Sequence, residues 1–341
     1  MEHIAIFRMS AMGDVAISVP VITAFACAYP DVKITMVTRP LFAPMFVHIP
    51  NLEVFTPELY GKHAGFMGLY RLYKELRAKG IDAVADIHNV LRTNILKFFF
   101  RSAKIPFAQI HKGRLEKQAL TRHRFKVFKQ LKPSYKRYAD VFAALGYHID
   151  MTEDYILPQP ALSRVVEKLL PKGVCIGVAP FASYPSKQYP FERMCEVIKQ
   201  LSALYSDGKI YIFGGGKTEE ELVSKIHLPN AINMVGRLSF TQELELISRL
   251  DIMIGMDSGN AHLSAMYGVP TVTIWGVTHP YAGFYPYGQP AENALLADRE
   301  RFPLIPTSVY GKKYPKGYEK AIETITVAQI VEKATKIINN R

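Results

Sequence analysis

The sequence predicts an α/β protein built from two doubly wound parallel sheets, each flanked by helices. Short, almost wholly apolar runs alternate with longer segments of helical period from the amino terminus onward, as expected of strands buried on both faces and joined by helical crossovers. The alternation lapses over 146–173, where Pro158, Pro160 and Pro171 interrupt a weakly periodic stretch, and then restarts. A chain of 341 residues with 49% hydrophobic content can fill two domains of ~100–200 residues each.

Residues 3–7 (His-Ile-Ala-Ile-Phe) form an apolar run too short for a helix and read as the first strand. Residues 15–29 read as a helix, 32–38 as a β-branched second strand and 52–55 as a third. A helix at 67–79, a strand at 83–87, a helix at 91–100 and a short strand at 105–110 extend the βα repeat, and a helix at 135–145 leads into the linker. Beyond it, 175–179 is a strand, 191–205 a helix, 209–213 a strand running into three glycines, and 218–226 a helix. Segments 232–235, 241–250, 252–256, 259–267 and 271–275 continue the pattern, and 327–338 is a closing helix. The expected domains are therefore 1–155 and 156–341, with 146–173 as the linker.

The net charge of +12 is local. Between Lys97 and Arg137 there are thirteen Lys or Arg and one acid, Glu116, so this segment carries the whole excess. Phe98, Phe99, Phe100, Phe107, Phe125, Phe128 and Tyr135 are interleaved with the bases. That mixture suits a polyanion, an anionic membrane surface or a phosphorylated lipid; the plainer reading is a solvated basic helix and loop. No run approaches the ~20 apolar residues of a membrane span, and no leader is evident. Cys27, Cys175 and Cys195 are widely spaced and odd in number, which points to reduced thiols in a cytoplasmic setting.

Three familiar motifs fail on spacing. The 8–14 loop lacks G-x-G-x-x-G; Gly216-Lys217-Thr218 would need the first glycine of a P-loop at Tyr211; and Gly255-Met256-Asp257-Ser258-Gly259 is one residue out of step with a nucleophile elbow. Neither an Asp-x-Asp nor a His-x-x-x-His pair occurs, so metal-free chemistry is expected.

What remains lies at the expected carboxyl ends of strands, where doubly wound sheets bind ligands. After the first strand, Arg8-Met9-Ser10-Ala11-Met12-Gly13-Asp14 allows a tight turn at Gly13, with Asp14 as either a helix cap or a functional carboxylate. The loop 180–190 places hydroxyls and Lys187 between prolines, a setting suited to a diphosphate whose leaving oxygen gains charge. Gly214, Gly215 and Gly216 would admit a ligand to the backbone, and Glu219, Glu220 and Glu221 could meet ribose hydroxyls or simply favour a helix start. Asp257, Ser258 and Gly259 stand at a strand-to-helix junction that suits an anion, with His262 one turn along, either facing the crevice or buried as a structural residue.

Together these residues resemble the heptosyltransferase family of lipopolysaccharide synthesis, glycosyltransferase family 9. The likeness spans nearly the whole chain: the opening Arg-x-Ser-x-x-Gly-Asp, the Lys187 loop, the glycines with Glu219, and above all Asp257-Ser258-Gly259-x-x-His262-Leu263 followed by Gly268-Val269-Pro270. The resemblance implies a GT-B architecture of two Rossmann-like domains facing a central cleft, the first for the acceptor and the second for the nucleotide sugar. It implies an inverting, metal-independent transfer of a heptose from an ADP-sugar to a lipid A type inner-core acceptor. By position, Asp14 matches the catalytic base and Lys187 the lysine at the donor diphosphate. Asp257, Ser258, Gly259 and His262 match the donor cluster, and Ser183, Gly215, Gly216, Glu219 and Thr278 match further donor contacts. Asn260, Val277 and Tyr189 depart from the family's usual residues, and the cysteines common near 306–313 are absent.

On this reading Ser10, Gly13, Lys112, Arg114, Lys117, Arg122 and Arg124 serve the acceptor or an inner-leaflet membrane surface, and the enzyme is cytoplasmic and peripheral to the inner membrane. No cofactor is expected; the ADP-sugar is a substrate and the acceptor a phosphorylated glycolipid. A GT-B transferase or epimerase using a UDP-sugar is the near alternative. A nucleic-acid-binding protein, supported only by the basic stretch and a pI near 9.4, leaves 257–270 without a role and is disfavoured.

Overall fold

The computed structural model describes residues 2–340. The chain runs β1 (His3–Phe7), α1 (Met12–Ala28), β2 (Lys33–Val37), β3 (Leu52–Phe55), α2 (Gly65–Ala78), β4 (Ala83–Asp86), α3 (Leu91–Ser102), β5 (Phe107–Gln109), α4 (Arg114–Thr121), α5 (Ser134–Ala143) and α6 (Arg164–Glu167). It continues β6 (Cys175–Ala179), α7 (Phe191–Leu204), β7 (Lys209–Ile212), α8 (Lys217–Val223), β8 (Ala231–Asn233), α9 (Phe240–Ile247), β9 (Ile252–Met256), α10 (Gly259–Ala265), β10 (Thr271–Trp275), β11 (Ala294–Leu296) and α11 (Val327–Asn339). It divides into two compact units, one of residues up to Lys112 with Ser134–Leu157, the other of Gly113–Pro133 with Pro158 onward.

In the first unit five parallel strands lie in the order β3-β2-β1-β4-β5. The central strand β1 is buried along its whole length, which accounts for its unbroken apolar run. α1 is apolar on almost every face and accordingly buried, as a helix lying between a sheet and another helix must be. It packs against α5, where Phe25 and Phe142 stack with ring centroids 4.6 Å apart. A core of Phe7, Leu69, Leu72, Leu76, Leu96 and Phe100 joins the opposite face of the sheet to α2 and α3.

Six parallel strands form the second unit in the order β11-β10-β9-β6-β7-β8. Read from β8, this is the doubly wound 3-2-1-4-5-6 order of a Rossmann sheet. Ile176, Val178, Ile210, Ile252 and Ile254 from the strands pack with Val197, Ile198 and Leu201 of α7 and Ile330 of α11 in one core.

Strands expected at 3–7, 52–55, 175–179, 252–256 and 271–275 form over those same residues, while α4 and β11 were not expected. β11 is three residues long and only half-buried, so it carries no apolar run to read. The observed units differ from the two-block division at 155/156 in two respects: the first unit runs on to Leu157, and 113–133 belongs with the second unit. Apolar anchors draw it there, because Leu120 and Leu131 are buried with Ala282, alongside Phe128, Tyr281 and Phe284. Polar ties follow. Lys126 Nζ donates to the Leu120 and Pro306 carbonyls at 2.8 and 2.7 Å, Leu131 N donates to Tyr281 O, and the Arg299 guanidinium sits 3.5 Å from the Phe128 ring centroid.

Gly177 lies in β6 beside β9, where a Cβ would come within 2.5 Å of Leu250 Cδ1 and 3.1 Å of the Met253 thioether. Gly177→Ala is expected to lower the urea midpoint by the ~1–3 kcal/mol typical of overpacking, with an unchanged m-value.

Candidate functional site

Parallel strand order locates the ligand crevices. In a doubly wound sheet they open beyond the carboxyl ends of the two adjacent strands whose connections depart in opposite directions. Those strands are β1 and β4 in the first unit, β6 and β9 in the second.

In the first unit Arg8 follows β1 and is buried; its Nη1 donates to Ile87 O at 2.7 Å and its Nη2 lies 2.5 Å from Asp14 Oδ2. The Arg8 guanidinium is 5.7 Å from the centroid of the Tyr138 ring, whose hydroxyl donates to Asp14 O at 3.4 Å. Asp14 is therefore not the cap of α1. That position is Ala11, which makes no side-chain cap, and the carboxylate instead closes an ion pair across the loop with its side chain a quarter exposed.

Ser10 Oγ lies 3.2 Å from Nε2 of His88, a buried residue just past β4 whose Nδ1 has no hydrogen-bond partner. Burial, reinforced by the charges of Arg8, Lys112, Arg39 and Arg92, pushes the His88 pKa down to about 3, so the ring is neutral at physiological pH. Asp86 shapes this turn: Oδ1 accepts from the backbone N–H of His88 and Asn89 at 2.9 Å each, and Oδ2 accepts from Gln109 Nε2 at 2.8 Å. His88 was missed in the sequence. The polar Asp86-Ile87-His88-Asn89 at a strand's carboxyl end was its one signal, and only the strand order shows that β4 flanks β1.

In the second unit Lys187 follows β6 and Asp257 follows β9; Lys187 Nζ and Asp257 Oδ2 meet at 2.8 Å with side chains 14% and 9% exposed. A pair so shielded needs good geometry to offset its desolvation, and removing either partner leaves a stranded charge. The loop around the lysine is held by Ser186 Oγ, which donates to Gly311 O at 2.6 Å. Gly311 has φ +83°, and a Cβ there would lie 2.8 Å from Lys187 Cδ, so only glycine lets this backbone rest against the lysine stem.

Just past β9 and β10, Ser258 Oγ, Asn260 Oδ1 and Thr278 Oγ1 are buried without hydrogen-bond partners. Ser258 is the N-cap position of α10 yet its side chain makes no cap hydrogen bond. His262 is buried on this seven-residue helix. Glu219 is engaged locally, because its Oε2 accepts from Gly215 N at 2.7 Å and would be 2.8 Å from a Cβ on Gly214, so it closes its own glycine turn. Gly215, Gly216, Glu220, Glu221 and Ser183 are exposed.

The loops after β6, β7, β9 and β10 thus gather Ser183, Lys187, Gly215, Gly216, Glu219, Asp257, Ser258, Gly259, His262 and Thr278 at one edge of the second sheet. Ser10, Gly13 and Asp14 gather after β1, and Lys112 reaches the same end of the first sheet, donating to Asn89 O at 2.9 Å. The remaining basic residues belong to the second unit. Arg114, Arg122 and Arg124 are exposed, but Lys117 is buried with its ammonium 4.2 Å from the Phe284 ring centroid, so it leaves the expected surface set. Packing of its long apolar stem explains the inward turn. Among the described residues no group of three or more His, Cys, Asp or Glu could hold a metal ion.

Two Rossmann-like domains, each with polar residues at its switch point, make up the GT-B architecture. The chain belongs to glycosyltransferase family 9 (heptosyltransferase), whose family model matches residues 69–306. A lipopolysaccharide core heptosyltransferase, OpsX, of Haemophilus influenzae is 24% identical over 290 residues, covering 82% of this chain and 80% of that protein. Among solved structures, a family 9 glycosyltransferase of Veillonella parvula superposes with a TM-score of 0.76 at 19% identity, covering 100% of this chain and 98% of that one. The E. coli heptosyltransferase WaaC with ADP gives 0.68 at 18% identity, covering 98% and 99%.

His88 also links this site to stability. Its pKa is about 3 in the folded chain and 6.5 in the unfolded one, so below about pH 6.5 the unfolded chain binds a proton that the folded chain refuses, and stability falls with pH. Unfolding free energy measured in urea should decline toward pH 4, and His88→Gln should flatten that decline by about 1 kcal/mol per pH unit. Parallel pH profiles for parent and variant would contradict the assignment.

Proposed function

We propose that the enzyme transfers a heptose from ADP-heptose to a phosphorylated lipopolysaccharide inner-core acceptor, with inversion and without a metal. The observation that carries the reading is the shielded Lys187–Asp257 pair at the β6/β9 switch point, with the partnerless Ser258 Oγ and Thr278 Oγ1 just past β9 and β10. A lysine held out of bulk water is a strong counter-charge for a diphosphate, and buried hydroxyls without partners are donors waiting for oxygen acceptors. Asp257 orients the lysine and can accept from hydroxyls of the donor. Glu219, occupied with Gly215, is left one oxygen for ribose.

In the transfer an acceptor hydroxyl attacks the anomeric carbon from the face opposite the diphosphate. The new C–O bond forms as the bond to phosphate oxygen breaks, the electron pair leaves with ADP, and the hydroxyl proton passes to Asp14. Inversion follows from the single displacement. Carboxylates are weak bases, so the help must come from positioning and from charge developing at the anomeric carbon. Arg8 supplies the positioning, because it engages Asp14 Oδ2 and leaves Oδ1 to the acceptor. The neutral His88 and Ser10 border the same carboxylate's loop and can hydrogen-bond acceptor hydroxyls without adding charge.

A thermal-shift comparison of ADP, UDP and GDP with their sugars tests the donor. ADP-sugars should stabilise most, by about 2.7 kcal/mol at a hundred times the dissociation constant, and a larger shift with UDP would overturn the choice of nucleotide. Asp14→Ala should abolish transfer while ADP affinity stays within a few-fold of the parent; retained turnover would remove Asp14 as the base.

A further inference from the structure

We propose that residues 114–127, carried by the second unit, form a docking surface for an anionic phospholipid bilayer, with Leu115 and Phe125 entering the headgroup layer. This deepens the glycolipid-acceptor reading above and rests on it for its purpose, though not for its test. Leu115 is 81% exposed and Phe125 87% exposed, and Arg114, Arg122, His123 and Arg124 beside them are also exposed. Exposed apolar side chains flanked in the chain by exposed bases, with Glu116 the one acid among them, suit an interfacial anchor: the bases approach lipid phosphates and the apolar groups enter below them.

Folding does not account for Phe125. Its φ of +52° lies in the left-handed region that favours glycine, and its ring gains almost no burial in return. Arg122 Nε donates to Phe125 O at 2.6 Å, which fixes the turn that presents the ring outward. The platform beneath is firm, because Lys117, Leu120, Lys126, Phe128 and Leu131 are bound into the second unit.

Charge complementarity selects an anionic partner, and the apolar residues select lipid over nucleic acid. Single strands are gripped by stacking bases on aromatic rings, which Leu115 and the exposed Val127 cannot do, whereas both can enter a bilayer. The surface belongs to the unit that holds the proposed donor site, although sequence order alone attaches it to the first.

Sedimentation of the full chain with phosphatidylglycerol/phosphatidylethanolamine vesicles, and with phosphatidylcholine vesicles, in ~0.1 M salt tests the proposal. The parent should bind the anionic vesicles and leave phosphatidylcholine. Phe125→Gly relieves the left-handed strain, so it should melt no lower than the parent and yet bind at least about tenfold more weakly, an opposite pairing to that of a structural residue. Arg122→Ser with Arg124→Ser should weaken binding about thirty-fold. Failure of the parent to bind anionic vesicles, parent-like binding by Phe125→Gly, or a preference of the parent for an oligonucleotide over vesicles would each overturn the surface. Stabilisation by ADP, measured on the same samples, separates the two readings: its absence alongside the expected vesicle results overturns the transferase donor assignment and leaves the surface supported.

Discussion

Parallel strand pairing is the constraint on which the molecule depends. Every described strand in each sheet runs the same way as its neighbours, so successive strands are joined by crossovers, and the loops that follow the strands emerge at one edge of their own sheet. Buried backbone can be satisfied inside the sheet, but at that edge the ladder ends and polar groups must find other partners. Polar side chains collect there for this reason. Asp14, His88, Lys187, Asp257 and Thr278 follow five different strands and owe their positions to one rule.

The two sites handle charge in contrasting ways. In the first unit Arg8 is committed to a carbonyl and a carboxylate, and burial, reinforced by the surrounding bases, keeps His88 neutral. That arrangement fixes a carboxylate and offers uncharged hydrogen-bonding groups beside it. In the second unit one lysine and one aspartate neutralise each other away from solvent, and the glycine at 311 exists to let backbone lie against the lysine. A diphosphate arriving there would find an ammonium already held in place by its paired carboxylate, with little reorganisation left to make.

The basic segment shows how electrostatics and packing divide a stretch of chain between them. Lys117 and Lys126 are drawn inward, one over an aromatic ring and one onto two carbonyls, while Arg114, Arg122 and Arg124 stay in water. Charge counted along the sequence therefore overstates charge on the surface. It also says nothing of which unit bears it, and here the buried Leu120 and Leu131 decide.

By itself the sequence determined the alternation of strands and helices, because burial on both faces demands unbroken apolar runs such as 3–7 and 252–256, and turns between them demand glycine and proline. It also determined which loops were worth reading, since Asp14, Lys187 and Asp257 stand at strand ends whatever the strand order. Tertiary structure alone decided what these groups touch: that Asp14 meets Arg8 and does not cap its helix, that Glu219 serves its own turn, and that His88 joins the first site. It alone assigned 113–133 to the second unit. The reason is physical: local pattern reports which face of an element avoids water, whereas partners far apart in the chain are chosen by packing, and no local pattern encodes them.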